Sequence, residues 1–159
     1  MQKKLQIYLE IIWWVVTIII VYLVMKPVFD NFSTDYPFLW WNVAYIVLFI
    51  TYTRYAFLLK YTFIANWRNA KVFLFFFSLP YLFFGIESIN NFQTYFDNQG
   101  ITKVTSLLKY PLSELEKGNL FDYIKTETML FGVGALMAGI LMALRMALSL
   151  WRGRNRGTV

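Results

Sequence analysis

Three charged residues interrupt long apolar runs of this sequence, and they are the side chains best placed to do chemistry or to join helices. Glu10 lies about one helical turn inside the first run, Arg54 precedes Lys60 by six residues, and Arg145 precedes Trp151 by six residues. Antiparallel helices would bring all three to a similar depth. We predict an intramembrane ion pair between Glu10 and Arg54, since consecutive helices usually pack side by side. Arg145 would share this pair or reach a lipid phosphate.

Two other interpretations of these three charges stay open. They could form a site that handles protons or anions, because ionisable groups inside a membrane are commonly functional. Alternatively, the three side chains could each extend separately to the membrane surface along their own apolar stems.

Two short motifs resemble catalytic or metal-binding sequences. The stretch Ser106-Leu107-Leu108-Lys109 matches the S-x-x-K of serine acyl-enzymes, but the companion motifs and a surrounding domain are missing. The stretch Asp97-Asn98-Gln99-Gly100 offers oxygen ligands, but a calcium loop needs more of them at regular spacing, so a turn is favoured. The chain contains no cysteine and no histidine, which removes the commonest nucleophile–base pairs and metal ligands. The sequence therefore predicts no enzyme, no metal and no cofactor.

The composition indicates that the helices that carry these charges lie in a membrane. Hydrophobic residues make up 58% of the 159 residues and charged residues only 15%, whereas soluble domains carry about 25% charged residues. The mean hydropathy is +0.49. The net charge of +6 does not indicate nucleic-acid binding, because the basic residues flank apolar runs instead of forming a soluble basic surface.

The apolar runs predict an all-α integral membrane protein with four transmembrane helices in one domain, residues 1–159. Each run is long enough to cross a bilayer core of about 30 Å. Lys26 and Pro27 are expected to close the first span, and the fourth helix is expected to begin near Asn119. The predicted spans are residues 7–25, 38–59, 72–89 and 129–151.

Residues 90–128 form the one sizeable segment between spans and are predicted to be extracytoplasmic. Ile101, Val104, Leu107 and Leu108 recur at helical spacing, which indicates a short amphipathic helix on the outer membrane surface or against the bundle. Residues 112–117 could add a further helical turn that ends at Gly118.

The basic residues predict that both termini are cytoplasmic. Ten of the fifteen basic residues, including every arginine, then lie on the inner side. The short loops favour a bacterial inner membrane. The basic tail, residues 152–159, would bring Arg152, Arg154 and Arg156 to anionic inner-leaflet lipid or to a partner.

Small residues recur every fourth position along the fourth helix. Such a face lets another helix approach closely, either a partner's helix or one from this chain's own bundle, and the sequence leaves both possibilities open. The residues of this helix-packing interface are Ala135, Gly139, Ala143 and Ala147.

These observations favour a non-catalytic membrane subunit that scaffolds or assists a larger complex through contacts with other integral membrane proteins or with copies of itself. Few polar groups lie deep in the spans, whereas coupled transporters gather several near the midplane. A small oligomeric transporter or channel is the main alternative, and a membrane enzyme acting on lipid is the next.

Overall fold

The computed structural model describes residues 2–34 and 36–155, and its elements there are helical. The helices are α1 (Gln2–Asn31), α2 (Leu39–Leu58), α3 (Arg68–Thr105) and α4 (Glu114–Asn155), with short 3-10 turns at Leu59–Tyr61 and Phe63–Asn66 between α2 and α3. All four helices are long and apolar enough to cross a membrane. The predicted fold class is confirmed: the protein is an all-α integral membrane protein with four helices.

The four helices do not contribute equally to the bundle. Helices α2 and α3 both pack along α4, whereas α1 contacts mainly α2 and touches α4 at few places. The chain therefore consists of a three-helix core with a fourth helix at its side.

Helix α1 continues beyond its predicted end at Lys26 and Pro27. Proline lacks a backbone N–H and so removes one hydrogen bond, but the residues that follow it are held by tertiary packing. Val28 and Phe32 are buried, and the Asn31 side chain donates a hydrogen bond to the Pro27 carbonyl oxygen at 2.8 Å. Packing at the end of α1 thus outweighs the local preference to stop.

The segment 90–128 is formed mostly by extensions of α3 and α4. The two helices contain 38 and 42 residues, which at ~1.5 Å per residue gives about twice the ~30 Å of a bilayer core. Gly100 breaks the regularity of α3 with a φ of +63°, which glycine adopts without strain. Of the two placements left open by the sequence, the structure has Val104 buried against the bundle.

A capping box fixes the beginning of α4. The Glu116 N–H donates to the Ser113 hydroxyl at 3.4 Å, and the Ser113 N–H donates to the Glu116 carboxylate at 2.9 Å. This reciprocal cap starts the helix before Asn119, and Gly118 lies inside the helix instead of ending one.

The core divides into two clusters along the bundle. The cluster at the loop end, where the α3–α4 connection lies, includes Phe32, Phe92, Phe96, Leu120 and Ile124. The cluster nearer the terminal end, where α1 begins and α4 finishes, includes Tyr45, Tyr52, Tyr81, Ala135 and Met142. Tyrosine rings of α2 and α3 lie against glycines of α4 in this part of the bundle, which lets the three helices approach one another closely.

Candidate functional site

Glu10 and Arg54 form an ion pair between α1 and α2. The Arg54 guanidinium donates to one oxygen of the Glu10 carboxylate, and both side chains are largely covered, with 7% of Arg54 and 12% of Glu10 exposed. Residues near the start of α1 and near the end of α2 reach the same depth because the helices are antiparallel. The pair therefore places two opposite charges in an apolar bundle with little net charge.

Aromatic rings complete the surroundings of this ion pair. The Arg54 guanidinium carbon lies 5.0 Å from the centre of the Tyr55 ring and 5.9 Å from that of Trp13. Both rings can stabilise the cation through their π-electrons. The second Glu10 oxygen and Arg54 Nε have no hydrogen-bond partner among the described residues. The arrangement is suited to holding α1 against α2.

Arg145 lies apart from the Glu10–Arg54 pair. Its half-buried side chain lines a cavity between the end of α2, the start of α3 and the end of α4. Arg145 Nε is covered and lacks a hydrogen-bond partner among the described residues. The structure thus brings together two of the three intramembrane charges and leaves the third facing a separate cavity.

Two of the four small residues predicted to form an interface on α4 are buried against other helices of this chain. Ala135 and Gly139 are buried, whereas Ala143 and Ala147 are partly exposed. A Cβ atom added at Gly139 would lie 3.3 Å from Tyr81 Cε1 and 3.5 Å from Tyr52 Cδ2. Close approach at Gly139 therefore serves packing between α4 and the tyrosines of α2 and α3.

A buried polar cluster, formed by Tyr36, Asn42, Glu127 and Thr128, lies between α2 and α4 toward the loop end. The Asn42 amide donates to the Glu127 carboxylate at 3.4 Å, and the Thr128 hydroxyl donates to the same oxygen at 3.3 Å. All four side chains are at least nine-tenths buried. The second Glu127 oxygen, the Asn42 carbonyl oxygen and the Tyr36 hydroxyl have no hydrogen bond of normal geometry to a described residue.

Tyr36 precedes α2 and adds a neutral hydroxyl to this cluster. Burial raises the pKa of Tyr36, and the nearby Glu127 carboxylate raises it further. The hydroxyl therefore keeps its proton across the physiological pH range. The cluster can offer a carboxyl group, an amide and two hydroxyls to a proton, a water molecule or a small cation.

Sequence reasoning missed this cluster because Glu127 was assigned to an exposed segment. A helical-period signal was present, since Leu120, Ile124 and Glu127 fall on one face of α4 and all three are buried. This face continues the buried face of the fourth span toward Leu120, and this continuity indicates that Glu127 points into the bundle.

The two motif-like stretches serve local structure. The Ser106 hydroxyl donates to the Lys103 carbonyl oxygen at 2.7 Å, and Lys109 Nζ donates to the Phe29 carbonyl oxygen at 2.6 Å. Lys125 Nζ donates a hydrogen bond to Asp97 Oδ1 at 2.8 Å, and the two residues form an ion pair. Within residues 2–34 and 36–155, no group of three or more acidic side chains is arranged to hold a metal ion.

The basic tail is described in part. Arg152 and Arg154 lie in the last turn of α4 and are exposed, and Arg156 lies outside the described residues. Arg152 faces the same cavity as Arg145.

Comparison of the chain with protein-family models, with curated proteins and with solved structures finds no match.

Proposed function

We propose that this protein is a non-catalytic membrane subunit that scaffolds or assists a larger complex, and that α1 is the helix that contacts the partner. The observation that carries this proposal is the uneven burial of the spans. Only 6% of the most apolar stretch of α1 is buried, compared with 44% for α2. A helix that crosses the membrane with so little contact offers most of its surface to another helix.

Helix α1 is nevertheless held firmly in place. The Glu10–Arg54 pair ties one part of α1 to α2, and the Tyr123 hydroxyl of α4 donates to the Val24 carbonyl oxygen at 2.7 Å near the other end. Between these two points, Trp14, Ile18 and Ile19 are exposed. A fixed but uncovered helix presents a preorganised surface, which lowers the entropic cost of binding a partner.

The interior of the bundle supports a structural role over a transport role. Tyr45, Tyr52 and Tyr81 fill the space between α2, α3 and α4, and the Tyr52 and Tyr81 rings lie 5.2 Å apart, edge to face. The small face of α4 is occupied by these rings at Gly139. Apolar side chains remain exposed on α1, on the phenylalanine-rich outer face of α3 and on the outer face of α4, and of these helices α1 is the least buried.

Photo-crosslinking tests this proposal. A benzophenone amino acid at Ile18 of α1 is expected to give an adduct of discrete mass with a different membrane polypeptide in intact cells. The matched control is Leu130 of α4, which is exposed to the same extent as Ile18 but lies on another helix. Crosslinks to lipid alone at both positions, or the same adduct from both, would count against a partner on α1.

The membrane and the orientation belong to the same proposal. We place the protein in a bacterial inner membrane with both termini in the cytoplasm, and this placement is supported by the basic residues around the ends of α2, α3 and α4. Arg152, Arg154 and Arg156 would then contact anionic inner-leaflet lipid or a partner.

One observation favours the alternative of a small oligomeric transporter or channel. The buried polar cluster contains an acidic side chain, Glu127, inside the bundle, and ionisable residues in membranes commonly mark pathways for ions or protons. Reconstitution in liposomes tests this alternative: ion or proton flux that the wild-type protein supports and Glu127→Gln abolishes would favour it over the subunit role.

A further inference from the structure

A basic cavity opens at the terminal end of the bundle. It is enclosed by the end of α2 with its 3-10 turn, the beginning of α3 and the last turns of α4, and it measures about 420 Å³. Four cationic side chains line it, together with the neutral polar residues Asn66 and Ser149. The cations are Lys60, Lys71, Arg145 and Arg152.

The positive charge of this cavity is not neutralised by the protein. No aspartate or glutamate is among the described residues that line it, and none of its four cations forms an ion pair with a described residue. Arg54, by contrast, is compensated by Glu10. Four like charges around one space repel one another, and an anion in that space would relieve the repulsion.

Three of the cations that line the cavity are held in position or covered by neighbouring groups. Lys71 Nζ donates to the Ser149 hydroxyl at 2.9 Å, which holds the ammonium group at the cavity wall. Lys60 Nζ lies 4.6 Å from the centre of the Tyr61 ring, so that ammonium group is positioned as well. Arg145 Nε is covered by protein and has no hydrogen-bond partner among the described residues. A guanidinium carries N–H donors besides Nε, and since Arg145 lines the cavity, these are the groups with which it can bind an acceptor there.

We propose that this basic cavity binds a phosphate group at the membrane surface. A guanidinium donates two parallel hydrogen bonds to phosphate oxygens, and lysines add point charges around them. The phosphate can belong to the headgroup of an anionic phospholipid or to a soluble ion, because the two share this chemistry. The proposal is independent of the partner on α1.

The cavity and the space beside it together have room for a ligand larger than a phosphate ion. A second cavity of about 200 Å³ adjoins it, shares Lys71 and Ser149 with it, and adds Arg68 and Arg154. A phospholipid headgroup extends beyond its phosphate and could occupy both spaces. Binding of one headgroup here would join the ends of α2, α3 and α4.

The experiment uses the full chain, stripped of lipid in a mild neutral detergent. Native mass spectrometry and thermal unfolding are measured with added phosphatidylglycerol, with phosphatidylcholine and with inorganic phosphate. We expect one tightly bound phosphatidylglycerol and a higher unfolding temperature, with little effect of phosphatidylcholine. If inorganic phosphate gives the same stabilisation as phosphatidylglycerol, the ligand is a soluble phosphate; if only the phospholipid does, it is a lipid headgroup.

Charge variants locate the binding site. Arg145→Gln and Lys71→Gln are each expected to weaken binding by roughly tenfold, because each removes a charge-assisted hydrogen bond. Arg145→Lys should retain part of the affinity. The control is Lys4→Gln, since Lys4 is an exposed residue near the start of α1 and does not line the cavity. Should Arg145→Gln fail to fold, Lys71→Gln and Arg152→Gln carry the test.

Two results would overturn the proposal. The first is the absence of binding by phosphatidylglycerol and by inorganic phosphate to the wild-type protein. The second is equal weakening by Lys4→Gln and by the cavity variants, which would show that only diffuse surface charge attracts the anion.

Discussion

Arg54 of α2 donates a hydrogen bond to the carboxylate of Glu10 in α1, 44 positions earlier in the chain. This contact is the ion pair that fixes the terminal part of the least buried helix to the bundle. Its members are nearly inaccessible to water, so each depends on the other to offset the cost of a buried charge.

The losses of stability on removing each member of this pair should not be additive. Arg54→Gln leaves the Glu10 carboxylate buried and unpaired, for which we expect a loss of about 3–5 kcal/mol in the free energy of unfolding. Glu10→Gln should also destabilise the protein, and the double variant should cost less than the two single losses added together. Thermal unfolding followed by tryptophan fluorescence in detergent measures all three variants.

The exposed pair of Lys117 and Glu114 is the control for this cycle. Its atoms lie 2.7 Å apart, but the Glu114 side chain is 88% exposed. Lys117→Gln should therefore change stability by less than about 1 kcal/mol. Strictly additive losses for Glu10→Gln and Arg54→Gln would show that the two side chains do not stabilise each other.

Gly139 should not accept a large side chain. Tyr52 and Tyr81 lie against it, so Gly139→Leu forces these rings and α4 apart, and overpacking of this kind typically costs about 1–3 kcal/mol. Leu144 is exposed on the same helix, and Leu144→Ile should be tolerated. The abundance of folded protein after extraction measures both. Normal folding of Gly139→Leu would mean that α4 does not approach α2 and α3 this closely.

The buried polar cluster should respond differently to changes in Glu127 and in Asn42. Glu127→Gln keeps the shape and a hydrogen-bonding group while removing the cost of burying a charge, so we expect stability that is unchanged or higher. Asn42→Leu removes the amide that contacts the carboxylate and should cost about 1–3 kcal/mol. Thermal unfolding compares them. A large loss in Glu127→Gln with none in Asn42→Leu would reverse the expected order.

Single cysteines can report the orientation, because the natural chain has none. Asn98 lies near the loop end and Asn69 near the terminal end, and both are exposed. We expect an impermeant thiol reagent added to intact cells to label a cysteine at Asn98 and not one at Asn69. Labelling in the opposite pattern would invert the proposed topology.

The sequence allowed prediction of those features that depend on one helix or on the depth of a residue. The four spans follow from apolar runs alone, and the proximity of Glu10 and Arg54 follows from equal distances to the terminal end of antiparallel helices. Neither inference requires knowledge of which faces of the helices meet. Prediction of the contacts made by Gly139, Glu127 and Arg145 requires that knowledge.

Features that depend on tertiary packing could not be predicted in the same way. Four alanine and glycine positions show that α4 has a small face, but the tyrosines that fill it are on other helices. The fourth helix was expected to begin near Asn119, but the sequence does not show that α3 continues beside it as a packed helix, so Glu127 resembled a solvent-exposed acid. Arg145 could have joined Glu10 by depth alone, and only the arrangement of the helices directs it toward the basic cavity.

The mass of the intact particle tests the subunit role most directly. The chain has a mass of 18.9 kDa, and extraction from native membranes in a mild detergent followed by native mass spectrometry gives the composition of whatever contains it. We predict a particle in which this chain is bound to at least one different membrane polypeptide, at a ratio that stays constant between preparations. A particle that contains this chain alone would contradict the proposed role, and several copies in that particle would favour the oligomeric transporter alternative.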